Sequence, residues 1–355
     1  MTPKDLIAKI KCEGGLSRTD LSGFDLRGLN LSGAYFEKVS FRGALLSGAD
    51  LSGSTFREAD LSGVTLSDSN LSCCQVLESN CTGAVFTGAR MADSTFHQVT
   101  LTWADLTGVD LTGASLSQTS FDGAKLTSGR LCRTAFHKCS LSPVDLTGAD
   151  LTRVMLDNTD LTKAVFMKTN LTQAYLVGAG LSKQAFPGCI LKMAMLGKAD
   201  LKGARFPGSD LTQTGFGEAD VTAADFTQTT GEYVNFSGIK GQKARFSGAR
   251  LFMATFREAD LTGADFTGAV LSQSLFIKAR CDETLFSSTD LSYADFSHAA
   301  VRQADFTKAR LPYANLHGVH QEDAKWNRAD RHTAYQTDPD LQEAEQWKSP
   351  RAANT

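Results

Sequence analysis

The chain has 355 residues with 36 basic and 39 acidic side chains and a net charge of −3, so it carries neither the basic field of a nucleic-acid binder nor an acidic tail. Length alone suggests two domains, but an internal repeat overrides length as a guide. No stretch is apolar enough for a secretory leader core or a membrane span, which predicts a cytoplasmic protein with no membrane partner.

Residues 1–15 predict a short capping helix. Thr2 is the expected N-cap, Pro3 the first helical residue, and Asp5 places a negative charge in the first turn. Leu6, Ile7 and Ile10 give it one apolar face, and Gly14-Gly15 ends it.

From Leu16 a large apolar residue recurs every fifth position: Leu21, Leu26, Leu31, Phe36, Phe41, Leu46 and onward to Leu311, Leu316 and a degraded Trp326. A small residue, usually Ala, stands two places before it, as at Ala44, Ala49, Ala104 and Ala264, and Gly is common two places after it, as at Gly43, Gly48 and Gly53. A period of five matches neither a helix nor a strand. It fits a short extended piece that sends two residues inward, followed by a corner that favours glycine. Four such sides close a square coil.

The motif Ala-(Asp/Asn)-Leu-(Ser/Thr)-Gly, written here as "ADLSG" and "ADLTG" and, with His, as "ANLHG", resembles the pentapeptide-repeat proteins. The resemblance implies an all-β fold, the right-handed quadrilateral β-helix, over residues 16–331, with about 16 coils about 75 Å long at the usual strand spacing. Residues 1–15 and 332–355 would then cover the two ends, whose strand edges would otherwise be unpaired.

The square coil makes residues twenty apart stack. Of 22 phenylalanines all but Phe24 and Phe252 take the large inward position. Phe206, Phe226, Phe246, Phe266, Phe286 and Phe306 fall on one face, and Phe216, Phe236, Phe256, Phe276 and Phe296 on the opposite one, predicting two facing aromatic ladders. The faces between them hold smaller residues such as Val221, Cys281 and Val301, as close packing requires. Cys74, Cys139 and Cys189 occupy the small inward position and Cys81 and Cys281 the large one, which reads as core filling rather than a disulfide or zinc framework. The pentads with Gly231 and Gly241 at the large position lose a core side chain each and predict a local soft spot or hinge.

After Trp326 the pattern decays. Asp338-Pro339 opens a second short helix with Leu341, Ala344 and Trp347 available for docking, and the residues from Ser349 are expected to be disordered. The resemblance implies that such a C-terminal helix can also mediate a homodimer.

No P-loop, dinucleotide fingerprint or nucleophile elbow occurs, and a filled core leaves no interior pocket for a small-molecule substrate. The recurrent Asp and Ser residues are demanded by the corners. His97, His137, His298, His317, His320 and His332 fall at outward or tail positions with no carboxylate or Cys arranged around them. The expectation is a non-enzymatic protein without cofactor or metal.

Function must then reside on the outer faces, where apolar residues are the informative ones. One corner column reads Met193, Gln213, Tyr233, Met253, Gln273, Tyr293 and Tyr313, with Phe252 beside it; a second patch stacks Met155, Tyr175 and Met195, with Val177 adjacent. These are the candidate partner-binding residues. Some pentapeptide-repeat proteins mimic DNA and bind DNA gyrase, which needs an acidic lattice. Here Arg90, Arg130, Arg205, Arg245, Arg250, Arg280 and Arg310 interrupt the Asp positions. Both ends, "LIAKIKCEGGLSRTDLSGFDLRGLNLSG" and "ANLHGVHQEDAKWNRADRHTAYQTDPDLQEAEQW", resemble the long modules associated with bacterial type VI secretion. That likeness implies an adaptor or chaperone whose protein partner is a secreted effector or a secretion component. Gyrase modulation and a self-associating structural rod stand as the alternatives.

Overall fold

The computed structural model describes residues 3–347, with side chains from Asp5 onward, so Thr2 and the stretch from Ser349 lie outside the described residues. The chain divides into two compact units, Met1–Leu201 and Lys202–Thr355. The division falls away from the weak pentads of Gly231 and Gly241.

In the first unit helix α1 (Pro3–Glu13) buries Leu6 and Ile10, while Ile7 is half-buried. It ends at Gly14, whose φ of 73° belongs to the left-handed region and whose N–H donates to Ile10 O at 2.8 Å. The following strands are two or three residues long: β1 (Gly15–Ser17), β2 (Tyr35–Glu37), β3 (Thr55–Arg57), β4 (Gln75–Leu77), β5 (Thr95–His97), β6 (Ser115–Ser117), β7 (Ala124–Lys125), β8 (Ala135–His137), β9 (Val144–Asp145) and β10 (Ala164–Val165). They form a seven-stranded parallel sheet, β1-β2-β3-β4-β5-β6-β8, and a three-stranded one, β10-β9-β7. In the second unit β11 (Thr230–Glu232) pairs in parallel with β12 (Arg250–Phe252), and helix α2 (Pro339–Gln346) follows the last coil. This is an all-β parallel solenoid. Among the described residues there are twelve strand segments, fewer than the sixteen coils read from the pentads; single-residue bridges such as Asp260↔Arg280 and Asp295↔Asn315 draw further sides at the same spacing.

The inward pair is buried as the period requires. Leu51, Ala49, Phe226 and Ala224 are fully enclosed, as are Ser and Thr at the small position. Those hydroxyls are satisfied by main-chain carbonyls, some in the coil below, as Thr134 Oγ1 donates to Leu111 O at 2.8 Å and Thr284 Oγ1 to Leu261 O at 2.8 Å, and others in their own coil, as Ser69 Oγ donates to Leu66 O at 2.6 Å. The outward Asp or Asn before the large residue accepts from the backbone two places on, as Asp50 Oδ1 does from Ser52 N at 3.1 Å. That Asx-type turn is why short polar residues recur there. The corner residue itself is left-handed, φ 67° at Gly48 and 58° at Tyr233, and Ala44 N donating to Phe41 O at 2.9 Å closes the turn in the type II manner.

Both phenylalanine ladders form within the second unit. Phe226, Phe246 and Phe266 stack at 4.8 and 4.6 Å with planes 5° and 2° apart. Phe236, Phe256 and Phe276 stack at 4.9 and 4.8 Å, and the two ladders meet edge to face, Phe246 to Phe256 at 5.7 Å and 90°. Trp326 continues the first ladder, 4.2 Å from Phe306, with the Arg331 guanidinium 4.6 Å from its ring centre. Removing one such ring costs about 3–5 kcal/mol.

Two expectations are corrected. The pentad of Gly231 does not leave its core unfilled: Gly231 is buried within β11 and paired with Leu251, and the oversized Val234 at the small position fills the space its missing side chain leaves. Ile239 does the same beside Gly241. Second, α2 begins as predicted, Asp338 Oδ1 accepting from Asp340 N at 2.9 Å and Leu341 N at 3.2 Å, but it buries none of its residues. Leu341 and Trp347 stay exposed, because Asp338 and Glu345 hold the segment against the side of the stack, at His317 and His298.

Candidate binding surface

The members of the expected stripe are all corners, and each has a left-handed backbone: φ is 58° at Met193 and Tyr233, 55° at Met253, 60° at Tyr293 and 59° at Tyr313. For a residue with a Cβ that conformation costs about 1–2 kcal/mol, and glycine avoids it. In the second unit Tyr293 and Tyr313 stack at 5.1 Å and 17° and both remain about half exposed, as does Tyr233. Met253 and Phe252 are half-buried. Phe252 sits in β12 beside a shallow hollow lined by Asp210, Glu232, Arg250 and Val270.

In the first unit Met155, Tyr175 and Met195 bridge in succession, with exposures of 49%, 38% and 53%; Val177 is half-buried. Met193 lies two residues from Met195. Its Sδ takes a contact from Gln173 Nε2 at 3.6 Å, and Gln173 in turn receives Arg153 Nε at 2.6 Å. The two surfaces expected separately thus come within two residues of each other in this unit, at Met193 and Met195.

Sequence reasoning missed a second exposed apolar cluster here. Trp103 is 70% exposed and its ring lies against Gly123, in the room a Cβ would take, above a hollow lined by Pro143, Val144 and Val165. Met167 and Ile190 are also exposed. The readable signal was a Trp at a corner with Gly directly above it in the column.

The charges on these faces pair along the stack. Column neighbours alternate in sign, Asp225 with Arg245 at 3.4 Å, Asp260 with Arg280 at 3.9 Å and Asp290 with Arg310 at 4.0 Å. Each exposed pair contributes little stability, but these pairs interrupt the acidic positions of their columns with positive charge. Arg245, Arg280 and Arg310, three of the arginines at Asp positions, are thus partners of the aspartates one coil away.

The histidines do not all stand apart. His298 Nε2 and His317 Nε2 lie 3.2 and 3.3 Å from the two oxygens of Glu345, and one ligand atom of each residue falls within 4.8 Å of the others. The hydrogen bond from His317 holds the Glu345 carboxyl below its ordinary pKa. His317 is buried, and its Nδ1 accepts from Asp338 N at 3.2 Å. Glu345 comes from outside the repeat, so the register could not place it. Among the thiols, burial raises Cys74 to about 11 and lifts Cys81 and Cys281 further, as suits core fillers.

A family model described as pentapeptide repeats (8 copies) matches residues 16–72, 79–182, 189–228 and 254–320 through overlapping segments. Comparison with curated proteins gives no match. Among solved structures, a pentapeptide repeat protein of the Arabidopsis thaliana thylakoid lumen is 33% identical over 27% of this chain and 68% of its own, with a TM-score of 0.26. HetL, a pentapeptide repeat protein involved in heterocyst differentiation regulation from the cyanobacterium Nostoc sp. strain PCC 7120, is 21% identical over 94% and 96%, TM-score 0.19. QnrB1, a plasmid-mediated fluoroquinolone resistance protein, is 18% identical over 59% and 89%, TM-score 0.24.

Proposed function

The chain belongs to the pentapeptide-repeat family, and from that premise we propose that it is a non-enzymatic scaffold of the bacterial cytoplasm that binds a protein partner through its aromatic and Met-rich corners. One observation carries the reading. Tyr233, Tyr293 and Tyr313 hold large, exposed rings in one corner column, and Tyr293 and Tyr313 stack on each other at 5.1 Å, which makes an ordered aromatic surface. Exposed Tyr and Met are also the side chains that anchor protein interfaces. The likeness of the chain ends to type VI modules makes a secreted effector or a secretion component the partner class to try first. The positive charges that interrupt the acidic columns count against the DNA-mimic alternative. The test is recovery of such an effector by the wild-type chain and by a Tyr233→Ala/Tyr293→Ala/Tyr313→Ala variant of unchanged melting temperature. At least tenfold weaker recovery is expected, and equal recovery would reject the stripe.

A second reading, self-association, is favoured by the open last coil. Trp326 is only half-buried, and among the described residues the N–H groups of Gln321, Asp323, Trp326 and Arg328 have no acceptor. Light scattering across protein concentrations separates it: a constant monomer mass dismisses the dimer.

A further inference from the structure

The three side chains His298, His317 and Glu345 come from two successive coils and from α2, three places far apart in sequence. Their donor set, two imidazoles and one carboxylate, is that of a borderline divalent ion, for which bonds of about 2.0–2.1 Å put tetrahedral ligands about 3.3 Å apart. Here His298 Nε2 and His317 Nε2 lie 3.2 and 3.3 Å from separate oxygens of Glu345, and one ligand atom of each residue lies within 4.8 Å of the others, so a small closing movement brings the three onto one ion.

The fold orients both rings. His317 follows Asn315, whose Oδ1 accepts from His317 N at 3.0 Å, and its ring meets that of His298 at 5.3 Å and 85°. His298 lies over Gly318, where a Cβ would come within 2.6 Å of its Nδ1, so glycine at this corner is what leaves the ring its place. A hollow lined by Ile277, Ser297, Asn315 and Tyr335 adjoins the cluster and offers room for a water as fourth ligand.

We propose that His298, His317 and Glu345 form a binding site for one zinc-class divalent metal ion, which ties the C-terminal segment to the solenoid. Since α2 buries no side chain, its attachment rests on polar contacts, chiefly those of Asp338 and Glu345. The metal-free ring of His317 takes the Asp338 N–H at Nδ1 and points an Nε2 proton at Glu345. Coordination through Nε2 moves the ring proton to Nδ1, so the Asp338 N–H must give up its acceptor. Ion binding therefore gives up that backbone hydrogen bond and the ring N–H hydrogen bonds to Glu345 in return for metal–ligand bonds, and the Asp338 amide reports it.

The experiment is calorimetric titration of Zn²⁺ into the chelator-treated full-length chain, its Glu345→Gln and His298→Ala variants, and a His332→Ala control. Co²⁺ spectra would report the geometry. The expected result is one ion per wild-type chain, binding at least about tenfold weaker in both variants, an unchanged control, and faster hydrogen exchange at Asp338 in the presence of Zn²⁺. Glu345 is partly exposed on a helix without buried residues, so its replacement leaves the coil stack intact. Absence of saturable binding, or binding that persists in both variants and so belongs to exposed thiols such as Cys12 and Cys73, overturns the site.

Discussion

Gly231 and Val234 share one space in the core: a Cβ built on Gly231 would stand 2.9 Å from Val234 Cγ2 and 2.9 Å from the Leu211 carbonyl carbon. The repeat asks for a large residue at position 231, and the structure forbids even a methyl. Gly231→Ala is therefore expected to destabilise the chain by about 1–3 kcal/mol through overpacking. Denaturant unfolding measures it; a neutral or stabilising change would mean that the site is loosely filled.

The corners give a second, opposite pair of expectations. At Gly48 φ is 67° and the space a Cβ would enter is open to 4 Å, so Gly48→Ala meets no clash and costs only the left-handed backbone term, about 1–2 kcal/mol. Lys278 is an exposed corner with φ 56°, and Lys278→Gly should stabilise by about 0.5–1 kcal/mol once the greater freedom of unfolded glycine is subtracted. Thermal melts of both variants check the signs, and shifts in the same direction would contradict the conformational argument.

Acid should loosen the repeat at its turns. Side-chain hydrogen bonds from Ser52, Thr107, Thr162 and Thr307, joined by the backbone N–H groups of the same residues, hold Asp50, Asp105, Asp160 and Asp305 below the ordinary carboxylate pKa; Arg27 holds Asp25 at about 2. Because the folded values are depressed, their stabilisation is complete above the unfolded value of about 3.9 and is lost as pH falls through the folded values. The melting temperature should stay level down to about pH 5 and drop between about pH 4 and 2. A midpoint that begins to fall near pH 6 would point to histidines instead.

The sequence was legible wherever one residue's environment is set by its place in the period. The inward pair, the phenylalanine ladders and even Trp326 follow from arithmetic on residue numbers, since each sits twenty residues from its neighbour above. What the period does not reach was not legible. Val234 compensating for Gly231 depends on side-chain volume within one coil, and Trp103 covering Gly123 depends on a rotamer. The seat of α2 depends on His317, which looks like any other outward residue until Asp338 and Glu345 arrive from beyond the repeat. The stripe was found because it repeats; the His298 cluster was missed because it occurs once.

The alternating columns carry a consequence for how such a chain can change length. Asp220 and Asp260 stand two coils apart with Lys240 between them, and Asp225 and Asp265 likewise flank Arg245. Duplicate the single coil that carries Asp220 and Asp225, and carboxylate comes to face carboxylate in both columns; duplicate it together with the coil of Lys240 and Arg245, and these charges meet their opposites again. The backbone is indifferent to this choice and the side chains are not. In these two columns the unit that keeps opposite charges facing is thus a forty-residue pair of coils, twice the unit that the polypeptide geometry alone defines.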